Sequence, residues 1–207
     1  MGSSGRTRAA LAILVFLFGA ALLTDHAVAA WALRCKAPVL DLLVGIINPI
    51  GSGVTLLVAC LALVAVSRRL GRARLHDAAW LAALAFASAG LVEFTLKHLV
   101  GRPRPDAAIA GLIGPSFAPD IDSFPSGHAT SVFAVATVFA AYYPRLRWVL
   151  YGLATATALG RVYLERHYAS DIVAGAMLGV LGAVLLLRHR HALPGGTLLE
   201  PPADRSR

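Results

Sequence analysis

Three short clusters in this chain set side chains that hold anions next to side chains that move protons. The first is Lys97-His98-Leu99-Val100-Gly101-Arg102-Pro103-Arg104-Pro105, in which six residues separate Lys97 from Arg104. The second is Pro125-Ser126-Gly127-His128, and the third is Arg161-x5-His167-x3-Asp171. A phosphoryl group in transfer spreads negative charge over its equatorial oxygens, so catalysing its transfer is mostly positioning and electrostatic stabilisation. Arg104 and Arg161 offer forked, permanently charged donors for those oxygens, and Lys97 adds a compact point charge. Ser126 stands where a helix N-cap belongs, so the Gly127 and His128 amides should point outward as an anion site, and Gly127 lets backbone come close to the anion. Two imidazoles can divide the remaining work, one attacking phosphorus and the other protonating the departing oxygen. His167 and Asp171 are four apart, one turn if their helix begins early enough, so the carboxylate could orient the imidazole and stabilise its cation.

The elements that must hold these clusters are membrane spans. Of the 207 residues 57% are apolar and 14% charged, and the mean hydropathy is +0.70. Soluble domains average about 25% charged and 45–50% apolar, so neither a disordered chain nor an ordinary soluble domain fits. Apolar stretches run roughly over 9–30, 50–67, 77–99, 127–143, 148–164 and 170–187, which predicts an all-α polytopic membrane protein of six transmembrane helices with a helical-bundle catalytic core. Segment 37–49, with Asn48-Pro49 ahead of Gly51-Ser52-Gly53, reads as a lead-in to the second span or a short interfacial or re-entrant piece. Residues 1–188 form one six-span domain, and 189–207 a disordered cytoplasmic tail.

Counting Lys and Arg alternately across these spans gives twelve on the side of both termini and seven on the other. The positive-inside rule then puts both termini in the cytoplasm. Arg6, Arg8, an apolar core and Ala27-Val28-Ala29 also have the pattern of a cleavable signal peptide. Its removal would leave the other five spans oriented as before. Measured from their cytoplasmic ends at about 1.5 Å per residue, Lys97, His128, Arg161 and Asp171 come to nearly one depth, about 21 to 30 Å along their helices. That layer is cationic, lies at or just beneath the outer interface, and suits a phosphate whose lipid tail stays in the bilayer. Cys35 and Cys60 cannot make a disulfide framework. The +8 net charge is scattered over both membrane faces instead of forming one basic stripe, which argues against nucleic acid.

The ordered trio of motifs on such a chain, spanning about residues 40–187, resembles the type 2 phosphatidic acid phosphatase family of membrane lipid phosphatases, related to the vanadium haloperoxidases. The resemblance implies a phosphatase acting on a lipid phosphate or diphosphate; isoprenyl diphosphates such as undecaprenyl diphosphate and phosphatidic acid are the favoured classes, and phosphatidylglycerophosphate and lipid A phosphates also fit. It implies that His167 is the nucleophile forming a phosphohistidine, Asp171 its partner and His128 the general acid. Lys97, Arg104, Ser126, Gly127 and Arg161 are implied to bind the phosphate. No cofactor and no metal are called for, and the outer face carries no carboxylate cluster of Mg²⁺ or Zn²⁺ ligand character. The partners expected are the lipid substrate and membrane lipids; no protein partner is indicated.

Some residues stand apart from this pattern. Arg102 belongs to a duplicated Arg-Pro pair, but the six-residue gap from Lys97 selects Arg104, leaving Arg102 as a surface or headgroup contact. Glu93, four residues before Lys97, reads as an ion pair or hydrogen bond with a neighbour. Gly160 stands where many members of the family carry serine, which removes one phosphate donor. Transfer of the phosphoryl group to a lipid or other acceptor instead of water would use the same residues. A transporter or flippase reading is weaker: spans two, four and six contain no ionisable residue between their ends, and no internal repeat is visible. Composition and the signal-like start point to a bacterial inner membrane, with the site on its outer face.

Overall fold

The computed structural model describes residues 3–107, 111–118 and 120–190. Among these every regular element is helical: α1 (Ser3–Arg34), α2 (Pro38–Ile50), α3 (Gly53–Arg69), α4 (Ala73–Val100), α5 (Gly127–Tyr142), α6 (Arg147–Tyr163) and α7 (Ala169–His189), with one 3₁₀ turn at Pro144–Leu146. Residues 191–207, most of the expected tail, lie outside the described residues.

Ala12–Arg34, Ala73–Val100 and Ala169–His189 are long and apolar enough to cross a membrane. Pro38–Ile50 and Gly53–Arg69 qualify only together, bent by 51° at their junction, so the count is three, or four with the bent pair taken as one span. α5 and α6 have 16 and 17 residues, about 24 to 26 Å of helix against a hydrocarbon core of about 30 Å. Segment 37–49, read as a lead-in, is a full helix. Pro38 supplies its first turn, where no amide is required, and the chain turns at Gly51 before Ser52 caps α3 by accepting from the Thr55 amide (3.2 Å).

α5 is the central helix. It packs against α7, α4 and α6, while α1 lies along α7 and α6, and α2 along α6. The α5–α7 contact is close because α7 presents glycine: a Cβ at Gly175 would stand 2.5 Å from the Ser126 carbonyl oxygen, and one at Gly179 2.3 Å from that of Thr130. Small residues let helix backbones approach where lipid provides no hydrophobic drive for association. The core around Ala82, Ala85, Ala134, Val138 and Ala183 is built in the same manner. Large apolar side chains instead face outward, Leu23 (89% exposed), Val54 and Trp148 among them, as hydrocarbon surroundings require.

Two contacts fix the ends that carry the motifs. α4 stops at Gly101, whose left-handed backbone (φ 57°) donates to the Lys97 carbonyl and passes so near Gly114 that no Cβ fits. The junction between α1 and α2 is tied to the end of α6. There the Lys36 ammonium donates to the Tyr163 carbonyl (2.7 Å) and pairs with Glu165 (3.1 Å), while the Tyr163 hydroxyl donates to Asp41 (2.6 Å).

Candidate active site

All four helices that carry the motifs present them at one end of the bundle. Lys97 is in the last turn of α4, Gly127 and His128 open α5, Arg161 is in the last turn of α6, and Asp171 is in the first turn of α7. Arg104 comes from the connection between α4 and α5, which folds back on itself. Its backbone is held by Ser123 N–H donating to the Arg102 carbonyl (2.9 Å) and Arg104 N–H donating to that of Asp120 (3.1 Å).

The cations gather around Asp122. Arg104 grips its carboxylate with two bonds, Nε at 2.7 Å and Nη2 at 3.0 Å, and Lys97 Nζ lies 3.9 Å away. The bond to Asp122 raises the Arg104 pKa above its ordinary value. Lys97 also pairs with Glu93 Oε1 at 2.8 Å, the ion pair that spacing suggested, although Glu93 Oε1 accepts no bond of good hydrogen-bond geometry. Glu93 lies directly beneath Gly127, where a Cβ would be 3.1 Å from its oxygen. Arg161 lies within electrostatic range of Arg104, Arg166 and Asp122, and its Nε is buried with no hydrogen-bond partner among the described residues. Here three cations converge with only two carboxylates among them.

The imidazoles share this electrostatic environment. His128 lies within electrostatic range of Arg161, His167 and Lys97. His167 is 3% exposed, and its Nδ1 is 2.7 Å from the Ser123 carbonyl oxygen. A carbonyl can only accept, so Nδ1 carries the proton and the neutral ring keeps its lone pair on Nε2. Burial lowers the His167 pKa, against the opposing pull of Asp171, which keeps that lone pair free.

Asp171 does not hold His167 as the spacing suggested. α7 begins only at Ala169, so His167 precedes the helix and Nδ1 is 3.8 Å from Asp171 Oδ2, beyond a hydrogen bond. The carboxylate, 0% exposed, instead accepts from the Ser123 hydroxyl (2.6 Å), the Tyr168 amide (2.8 Å) and Arg102 Nη1 (2.6 Å). It therefore caps α7 and fixes Ser123, whose carbonyl orients the imidazole.

Ser126 is fully buried at the N-cap of α5, with its hydroxyl 3.5 Å from the Ala129 amide and its own amide donating to the Asp171 carbonyl (3.1 Å). The first-turn amides of Gly127 and His128 have no helical acceptor and are free for an anion.

Residues 78–193 match the PAP2 superfamily, more than half of the chain. The chain belongs to the PAP2 superfamily. It is 36% identical over 115 residues to a lipid A 1-phosphatase of Rhizobium johnstonii, covering 51% of this chain and 46% of that protein. Over 105 residues it is 36% identical to the putative undecaprenyl-diphosphatase YbjG of Escherichia coli, 49% of this chain and 52% of that one. The chain thus spans about half the length of the curated relatives it matches. Two solved structures share its fold. The PAP2 type phosphatidylglycerolphosphate phosphatase of Bacillus subtilis has a TM-score of 0.69 at 22% identity, covering 89% of this chain and 95% of that one. Aquifex aeolicus LpxE has a TM-score of 0.64 at 21% identity, covering 79% and 94%.

Around this cluster the sequence pattern put Arg102 at the surface and gave no sign of its partner Asp25 or of Ser123. Arg102 is no headgroup contact: it sits between Asp25 and Asp171 with its guanidinium 4.2 Å from the Tyr168 ring centre. Burial works to lower its pKa, and the two carboxylates outweigh that and raise it. The duplicated Arg-Pro was the available signal, since a second arginine with no phosphate to bind needs another anion. Beside this network, between α1 and the 101–125 connection, lies an apolar cavity of about 680 Å³ lined by Phe18, Leu22, His26, Phe124 and Tyr168; His167, His128, Lys97, Arg104 and Arg161 do not line it.

Proposed function

We propose that this protein is an integral-membrane phosphatase that removes a phosphate from a lipid phosphomonoester or diphosphate through a phosphohistidine. The observation that carries this reading is the buried, unpartnered Nε of Arg161 beside Lys97, Arg104 and the two imidazoles. A buried guanidinium edge without an acceptor is costly unless an anion fills the gap. His167 Nε2 attacks phosphorus while the bond to the lipid oxygen breaks and His128, as the acid, gives that oxygen its proton. Water then attacks the phosphohistidine, His128 takes its proton, the N–P bond breaks and inorganic phosphate leaves. Lys97, Arg104, Arg161 and the Gly127 and His128 amides hold the equatorial oxygens in both steps, with Ser126 shaping the turn that presents those amides. Asp171, through Ser123, keeps Nδ1 of His167 protonated and Nε2 free.

In this reading all six apolar segments cross an inner membrane, α5 and α6 near a thinned edge at the site, with both termini cytoplasmic and the site on the outer face. The names of the relatives point to lipid A 1-phosphate and undecaprenyl diphosphate among the candidate substrates, beside phosphatidic acid. Selection among them falls to α1, α2 and the 101–125 connection, where the apolar cavity lies. The test is phosphate release by the detergent-purified protein from a panel of these lipids, with His167→Ala as blank and acid-labile, base-stable phosphoprotein as the sign of the intermediate. Release by the His167 variant at the wild-type rate would refute the mechanism.

A further inference from the structure

Asp25 is the sole acid in α1, a helix most of whose described large apolar side chains are exposed. A carboxylate in such a position is costly and is retained only where it has partners. Asp25 is 2% exposed and fully engaged: it accepts from Arg102 Nη2 (2.7 Å), from the Ser170 amide (2.8 Å) and from the Ser170 hydroxyl (2.5 Å). Arg102 Nη1 continues the chain to Ser170 Oγ (2.7 Å) and to Asp171 Oδ1 (2.6 Å). Asp171 holds the Ser123 hydroxyl, and the Ser123 carbonyl holds Nδ1 of His167. An unbroken line of bonds therefore runs from the first helix to the reactive imidazole.

We propose that Asp25 is a positioning residue for His167, acting through Arg102, Ser170 and Asp171; this rests on the functional reading above. It does two things. By tying down the Ser170 amide, it fixes the start of α7 and with it the residues immediately before that helix, His167 among them. By offsetting Arg102, it leaves the Asp25–Arg102–Asp171 group with one net negative charge beneath the imidazole. That charge makes the ring more basic and favours the positive ring that forms on phosphorylation. The groups facing His167 from the other elements, Lys97 on α4, His128 on α5 and Arg161 on α6, are all cationic or neutral, and the nearby carboxylates Glu93 and Asp122 are taken up by Lys97 and Arg104, so the negative charge beside the ring comes from this side. Cleavage after Ala29 would remove Asp25, and on this proposal α1 stays in the working protein.

The experiment compares wild type, Asp25→Asn and Asp25→Asn/Arg102→Met, purified in detergent. It measures kcat, KM and the pH dependence of kcat/KM, and follows the titration of His167 by NMR of histidine-labelled protein. For Asp25→Asn the expectation is a kcat lower by about 10- to 100-fold with KM within about threefold, and an acid limb and His167 titration moved to lower pH by about half a unit or more. The double variant restores the net charge and should return both to the wild-type pH. An unmoved titration in Asp25→Asn, or a loss of activity that only follows a loss of folded protein, overturns the proposal. If Asp25→Asn does not fold, Ser170→Ala takes its place: it deletes the bridging hydroxyl without changing charge and should lower kcat several-fold, and an unchanged kcat overturns the proposal. The titration needs no turnover. Failure of wild type to release phosphate therefore counts against the phosphatase reading and leaves the test of Asp25 standing.

Discussion

Replacing Asp122 by asparagine removes the negative charge that Arg104 and Lys97 share, while keeping an oxygen to which Arg104 can still donate. In the present structure the carboxylate takes two charge-assisted bonds from Arg104, at 2.7 and 3.0 Å, and lies 3.9 Å from Lys97. An incoming phosphate must compete with it for the same donors. Hydrogen bonds to charged groups contribute about 1.5–3 kcal/mol when buried. Arg104 and Asp122 are 20% and 24% exposed, so solvent and salt reduce the pair's net value to about 1–2 kcal/mol in all. Deleting the competition should therefore tighten anion binding by roughly 5- to 30-fold. The assay is inhibition of phosphate release by vanadate, a mimic of the pentacoordinate phosphorus, and by inorganic phosphate, at two ionic strengths; the gain should shrink at the higher one. If both inhibitors bind Asp122→Asn within twofold of wild type, or more weakly, then Asp122 aims Arg104 at the substrate instead of occupying its place, and the reasoning fails.

Other outcomes follow from the same geometry. His167→Ala should abolish turnover, His128→Ala should lower kcat by about 10²- to 10⁴-fold, and a chelator should leave the wild-type rate unchanged; stopped assays on one lipid read all three. Because burial depresses the His167 pKa below its ordinary value, the unfolded chain binds the proton more readily than the folded one. Stability should be constant above about pH 6.5, the unfolded value, and fall as pH drops through the folded value, with activity holding to below pH 6.5; melting temperature and kcat/KM across pH 4 to 8 check the sign. Gly179→Val would drive side-chain atoms into the Thr130 carbonyl, where even a Cβ meets oxygen at 2.3 Å. It should cost about 1–3 kcal/mol or more, seen as a lower melting temperature in detergent.

What could be read from the sequence was what depends on neighbours along the chain. The site ends of α4, α5 and α6 follow from apolar length and from Ser126 as a cap. Because short helical offsets carry Lys97, His128 and Arg161 to the same end, the cluster was visible before any packing was known. The partners of Arg102 were not. Asp25 is 77 residues away and Asp171 is 69, and no periodicity links them; only the packing of α1 on α7 does. The start of α7 could not be fixed to a residue either: a helix begun at His167 would pair it with Asp171, but α7 begins two residues later, at Ala169, and the connection runs through Ser123. Helix α2 was hidden by Asn48-Pro49 ahead of Gly51-Ser52-Gly53, which reads as a break although Pro49 sits inside the last turn of the helix.

The tie between the α1–α2 junction and Tyr163 and Glu165 has a mechanical consequence. Those residues are two positions from Arg161 and from His167 respectively, so the peptide that carries a phosphate ligand and the nucleophile is anchored to the two helices at the periphery of the bundle. When the bilayer thickens, or when a bulky hydrocarbon chain wedges beside α1 and tilts it, the strain is delivered to this turn. Turnover should then track acyl-chain length in reconstituted vesicles even for a headgroup that never changes.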